Sequence, residues 1–171
     1  MKLTELLLNE MAAEYPNTRK LLERVPDDKF DWKPHPKSMT LKQLAVHLAE
    51  LPSWHAVILH TSELDFGAFE YKPTPVNNTA ELLALFDSQL EKGRAALLAA
   101  TEDQLLNDTW TMRHGDHIIS KTSKYEMIRH AFGQNAHHRA QLGVYLRLLD
   151  IPIPGVYGPS ADESWAAGGR Q

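Results

Sequence analysis

The stretch Tyr125-Glu-Met-Ile-Arg-His-Ala-Phe-Gly-Gln-Asn-Ala-His-His-Arg-Ala-Gln-Leu-Gly-Val-Tyr-Leu-Arg-Leu-Leu149 decides how this chain is read. Taken at the spacing that turns one helical stripe inward, it gives Met127, Ala131, Gln134, His138, Gln141, Tyr145 and Leu148. Three successive slots of that stripe hold Gln, His and Gln. Burying such groups without partners costs roughly 1–3 kcal/mol each. A helix that carries them toward a core points to a polar site inside a helical bundle.

Ser123 with Glu126 three residues on is a capping box that opens this helix. Ile151-Pro-Ile-Pro-Gly155 cannot continue it, so it ends near Asp150. Three further segments have helical period. The first spans residues 4–25, with Leu7, Met11, Leu21, Leu22 and Val25 apolar, and Pro16 inside it is expected to kink or split it. A loop over residues 27–39 follows, kept extended by Pro34 and Pro36, with Phe30 and Trp32 tucked against one end of the core.

The second helix opens at Thr40 with Gln43 as capping partner. It carries Leu41, Leu44, Leu48, Leu51 and Ile58 on its apolar face, with His47 among them and Pro52 as a mid-course kink. Residues 65–77 read as irregular. Asn78 and Glu81 cap the third helix, which runs to about residue 100. Thr101 and Gln104 open one short turn more. Around Gly115-Asp116, residues 110–119 form either a small hairpin or a loop. The fold class expected is all-α: a four-helix bundle with long inter-helix loops, as one domain over residues 1–165, with Tyr157 and Trp165 anchoring the tail and residues 166–171 frayed.

The whole chain narrows the function. Its 171 residues suffice for one core. A net charge of −4 gives no basic footprint, so no nucleic-acid partner is expected. The N-terminus has too short an apolar run and too many acids for a signal peptide, and no stretch approaches the ~20 apolar residues of a membrane span. A cytoplasmic protein is expected. The absence of cysteine excludes disulfides, thiolate metal sites and cysteine nucleophiles. Any transition-metal site must use oxygen ligands and some of the histidines His35, His47, His55, His60, His114, His117, His130, His137 and His138.

Residues four apart on a helix share a face. Gln134 and His138 form such a pair, and so do His130 and Gln134. His130 and His138 are ~12 Å apart along the axis and cannot share one ion from a straight helix. His47 is the histidine set squarely on another helix's apolar face. His47, Gln134 and His138 together supply three protein ligands and leave open positions, the catalytic rather than the closed structural pattern. The plainer readings stand beside it. His47 as a hydrogen-bonded core residue, Gln134 as a buried amide, and His138 with His137 as an interface pair fit the same spacing. His55 and His60 read as surface or rim residues, and Arg139 and Arg147 as solvated or dimer-facing charges.

The run Arg129-His-Ala-Phe-Gly-Gln-Asn-Ala-His-His-Arg-Ala-Gln-Leu142 and the tail Tyr157-Gly-Pro-Ser-Ala-Asp-Glu163 resemble the DinB/YfiT-like family, as do Phe30-Asp-Trp-Lys-Pro-His-Pro-Lys-Ser-Met39 and Leu44-Ala-Val-His-Leu-Ala-Glu50. The resemblance spans nearly the whole chain. It implies a four-helix bundle, commonly a homodimer, holding a divalent ion such as zinc or nickel through three histidines, one from the second helix and two, spaced four apart, from the last. His47 matches the first position and His138 the last, while Gln134 stands where the family usually has His. It also implies metal-dependent transfer to or from a low-molecular-weight thiol, or hydrolysis, on a small-molecule substrate. Gln141, Tyr145, His130 and His137 are the candidates for contacting that substrate. The alternatives are a non-catalytic small-ligand binder with a degenerate metal site, or a structural stress-response dimer of the same fold.

Overall fold

A computed structural model describes residues 2–163; Trp165 as a tail anchor, the domain boundary at 165 and the frayed 166–171 lie outside the described residues. The elements follow in the order α1 (Leu3–Leu22), α2 (Leu41–Glu50), α3 (Trp54–His60), β1 (Glu63–Asp65), α4 (Thr79–Ala99), α5 (Glu102–Asn107), β2 (Thr109–His114), β3 (His117–Ser123) and α6 (Lys124–Leu148). Four rods make the bundle: α1, the α2–α3 pair, α4 and α6, with α4 and α6 each packing on both other rods.

The caps form where the sequence places them. Thr40, Asn78, Thr101 and Ser123 accept the backbone N–H of Gln43, Glu81, Gln104 and Glu126, each satisfying a donor that the first helical turn leaves free. α6 ends at a residue with positive φ, Asp150 (57°), where the Ile151 N–H turns back to the Leu146 carbonyl.

Two prolines behave differently from each other. Pro16 lies within α1, which continues unbroken through it, against the expected split. Its ring is exposed and so is Ala12, whose carbonyl loses its helical donor there and faces solvent rather than core. Pro52 does break the second rod, through a 3₁₀ turn over Leu51–Ser53. The break is packed rather than loose. Gly93 of α4 lies against it so closely that an added Cβ would stand 2.1 Å from the Pro52 carbonyl oxygen.

The helical bundle forms as expected, and a three-stranded sheet in the order β1-β2-β3 extends the one small hairpin that the all-α reading allowed. β2 and β3 form the antiparallel hairpin across Gly115-Asp116, with Gly115 at φ 57°. β1 pairs parallel to β2. Its Asp65 carboxylate accepts the Gly115 and Gly67 N–H groups, and Arg113 pairs with Glu63. Three residues are too few for a period, so this strand left no pattern in the sequence. The sheet packs on the bundle through Trp110, fully buried, whose indole N–H donates to Thr61 Oγ1 at 2.9 Å.

The inward face of α6 also differs from the heptad reading. The buried row is Met127, Ile128, Ala131, Phe132, Asn135, Arg139, Leu142 and Leu146. Gln141 and Leu148 are exposed, and Gln134, His138 and Tyr145 are half-buried. A straight helix drifts ~20° per heptad, and Gly133, Ala136, Ala140 and Gly143 give the middle turns little apolar signal to hold the register. Arg139, expected as a solvated or dimer-facing charge, is instead 2% exposed within the chain, and its guanidinium is held by the Glu14 carboxylate, the Glu14 carbonyl and the Tyr157 hydroxyl. His55, expected at the rim, is fully buried between Tyr15 and Phe132.

Candidate metal centre

α2 and α6 pack side by side, and the contact places His47 against His138. Each is fixed by its own helix: His47 sits between the fully buried Val46 and Leu48, and His138 precedes buried Arg139. Their rings stand edge to face, with centroids 4.5 Å apart and planes at 89°. Gln134, one turn before His138, brings its Oε1 to 3.0 Å from His138 Nε2. Gln141, nearly one turn after, brings its Oε1 to 3.0 Å from Nδ1.

This arrangement constrains the imidazole. A neutral ring has one N–H and one lone pair. Its single N–H can donate from Nδ1 to the Gln141 oxygen or from Nε2 to the Gln134 oxygen, and the other nitrogen then keeps a lone pair facing an amide oxygen. Two donors at ~2.1 Å from one tetrahedral cation stand about 3.4 Å apart, so the 3.0 Å between Gln134 Oε1 and His138 Nε2 needs only a small widening to seat adjacent ligands. When Gln141 takes the Nδ1 proton, Nε2 is the nitrogen left to ligate. A half-turn of either amide satisfies both nitrogens with no cation at all. Among the described residues, no three His, Asp or Glu side chains form a metal-holding group. The candidate donors are two imidazoles and one amide oxygen.

Burial lowers the pKa of His47, with neighbouring His138 adding to the effect and the Glu50 carboxylate opposing it. Burial likewise lowers that of His138, opposed by the Gln141 bond and aided by His137. Both rings are therefore neutral near pH 7, the form that ligates metals.

The other sequence candidates fall around this pair. His137 is exposed, its ring 4.9 Å from that of His138. His130 is exposed, two turns before His138. Tyr145 leans edge-on against Trp32, with 5.6 Å between centroids, and its hydroxyl donates to the Met39 carbonyl. Its contact is thus with the Trp32–Met39 loop rather than with the histidine pair.

Sequence reasoning missed the opposite wall. A cavity of about 290 Å³ opens beside His47, lined by Met39, Gln43, Tyr71 and Pro73. Tyr71 and Thr74 belong to the irregular segment after β1. Glu50, one turn past His47, accepts the Tyr71 hydroxyl at 2.5 Å and both the N–H and hydroxyl of Thr74. Burial and the Glu50 carboxylate raise the Tyr71 pKa, so its hydroxyl keeps its proton. Glu50 at the end of α2 was the available signal: an acid one turn past a site histidine, facing a loop rich in proline and hydroxyl groups.

The comparisons with known proteins agree with this architecture. The family model described as the DinB family matches residues 1–168. The Bacillus subtilis (strain 168) protein YrdA is 27% identical over 177 residues, with 96% of this chain and 93% of that protein covered. The solved DinB-like protein YjoA from Bacillus subtilis superposes with a TM-score of 0.70 at 20% identity, covering 91% of this chain and 99% of that one. A DinB-like protein from Bacillus cereus ATCC 10987 gives 0.68 at 22% identity, covering 90% and 97%. These structures share the fold, and the family match extends over nearly every residue. The chain belongs to the DinB family.

Proposed function

We propose that the protein binds a divalent cation, zinc or nickel, through His47, His138 and the Gln134 oxygen, and uses it for transfer or hydrolysis on a small molecule. The observation that carries this reading is the 4.5 Å approach of two neutral imidazoles from different helices, with an amide oxygen 3.0 Å from one of them. When bound, the cation lowers the pKa of a thiol or water beside it and polarises an electrophile. In this reading Gln141 holds the Nδ1 proton of His138 and so leaves Nε2 to ligate. Glu50 pins the half-exposed Tyr71 beside the cavity that opens at His47, where Met39 and Pro73 also line it. With no cysteine in the chain, any attacking sulfur comes from a low-molecular-weight thiol cosubstrate. A cytoplasmic setting and a homodimer belong to the same proposal.

Metal quantification and zinc titration calorimetry on untagged protein test it. One cation per chain, lost in His47→Ala, is the expected result; trace metal with no heat of zinc binding ends the proposal.

A second reading is favoured by one observation. Gln134 and Gln141 already bracket both nitrogens of His138, so an amide turn completes the site without metal. The protein is then a non-catalytic binder of a small polar ligand. A melting temperature indifferent to zinc but raised by a metabolite distinguishes it.

A further inference from the structure

A second cavity, of about 440 Å³, lies between α6 and the chain that follows it. Its α6 residues Ala136, Ala140 and Gly143 are centred about half a turn round from Gln134, His138 and Gln141, so this part of the cavity lies on the opposite side of the helix. We propose that it is a binding site for a neutral, largely apolar small molecule, independent of the metal reading.

Three features carry this. First, the space is built in. Ala140 and Gly143 leave room on α6 where larger side chains would close it, and a Cβ added at Gly143 meets no atom within 4 Å. Ile153, Pro154 and Val156 form the facing wall.

Second, polar clamps hold that wall in place. Tyr157 accepts from Arg139 and donates to Glu14, Asp162 takes both terminal nitrogens of Arg147, and Glu163 takes the Gly155 N–H. The wall is thus positioned without being packed into the cavity, and Val144 and Leu148 on its border remain 58% exposed each.

Third, the charges that line it are already matched. The Arg139 side chain, 3% exposed, is paired with Glu14, and Arg147 is paired with Asp162. An anionic or cationic ligand finds no free counter-charge among these groups, whereas an apolar one covers Val144 and Leu148 and releases their water. The volume is within the range of small-molecule sites.

The test is a fluorescence titration of the full chain with neutral N-phenyl-1-naphthylamine, beside its sulfonated analogue 1-anilinonaphthalene-8-sulfonate. One saturable site per chain is expected for the neutral probe, with the sulfonate binding about tenfold more weakly. Gly143→Leu and Ala140→Leu fill the cavity and are each expected to weaken the neutral probe about tenfold or more. Melting curves by circular dichroism confirm that each variant is folded, and His47→Ala binds the probe as the wild type does. Equal affinity in both filled variants overturns the proposal. So does tighter binding of the sulfonate. It is also overturned if Trp165→Ala raises probe affinity about tenfold, which makes the chain's own terminus the occupant, or if light scattering shows that the probe splits a dimer, which makes the occupant a second copy.

Discussion

His138 is held between two glutamines of its own helix while its ring meets His47 edge-on from another, with 4.5 Å between centroids. The helix supplies the proton acceptor, and the packing of α2 on α6 supplies the second imidazole. The metal reading rests on that division of labour, and Gln134 is its weakest member. An amide oxygen is a poorer ligand for zinc than an imidazole. Gln134→His is therefore expected to tighten zinc binding by about tenfold or more, measured by calorimetry, with melting unchanged in the absence of metal. Unchanged zinc affinity would mean that residue 134 does not face the cation.

Gly93 is required by the break at Pro52. A methyl group there meets the Pro52 carbonyl oxygen at 2.1 Å and its carbon at 3.1 Å, both backbone atoms that yield only if a helix moves. Gly93→Ala is expected to lower unfolding stability by about 1–3 kcal/mol, although Ala is the better helix former. Urea unfolding measures it.

The Arg139 guanidinium lies almost entirely out of water, with Glu14 as its counter-charge. Removing that carboxylate by Glu14→Ala leaves a buried cation with only the Glu14 carbonyl and polar hydroxyls as partners. The expected cost is about 3–5 kcal/mol. Tyr157→Phe removes one hydroxyl from the same cluster at a cost of about 1 kcal/mol. Comparable melting temperatures for the two variants would show that the charge pair contributes no more than the hydroxyl.

Acid sensitivity is expected from His55. Burial lowers its pKa from 6.5 to about 3. In the folded state it therefore stays neutral, while in the unfolded chain it takes up a proton below about 6.5. Between these values the unfolded state binds more protons, so stability is fully present above about pH 6.5 and is lost progressively as pH falls toward 3. The slope approaches about 1.4 kcal/mol per pH unit from this one group. His55→Gln, which keeps a partner for the Tyr15 hydroxyl, is expected to flatten urea-midpoint curves between pH 6 and 4. The same slope in the variant would assign the acid limb to other groups, among them Asp65, Asp162 and Glu163, whose pKa values the fold lowers.

Much of the architecture was legible because it is local. A Thr, Asn or Ser that accepts the N–H three residues on is a contact within one turn, so Thr40, Asn78, Thr101 and Ser123 marked their helices before any packing was known. Gly115-Asp116 marked its hairpin, though a loop fitted equally well. The candidate pair His47 and His138 was legible from helical phase and family resemblance together. The errors over His55 and Arg139 share one cause. His55 was assigned to the rim and Arg139 to solvent because a residue's type suggests its exposure, whereas the partners that make burial tolerable, Tyr15 for one and Glu14 for the other, lie 40 and 125 residues away. The opposite cavity wall, Tyr71 on Glu50, is likewise a contact between a loop without period and the end of a helix.

Capping and periodicity act within a few residues, so the order of amino acids was enough to mark the starts of four helices and the formation of a bundle, and its motifs pointed to the family. Tertiary structure alone decided which side of α6 faces the core, which polar groups go inside it, and where the cavities open. The reason is physical: a helix of 25 residues offers several near-equivalent faces, and only the shapes and charges of α1, α2 and α4 select one.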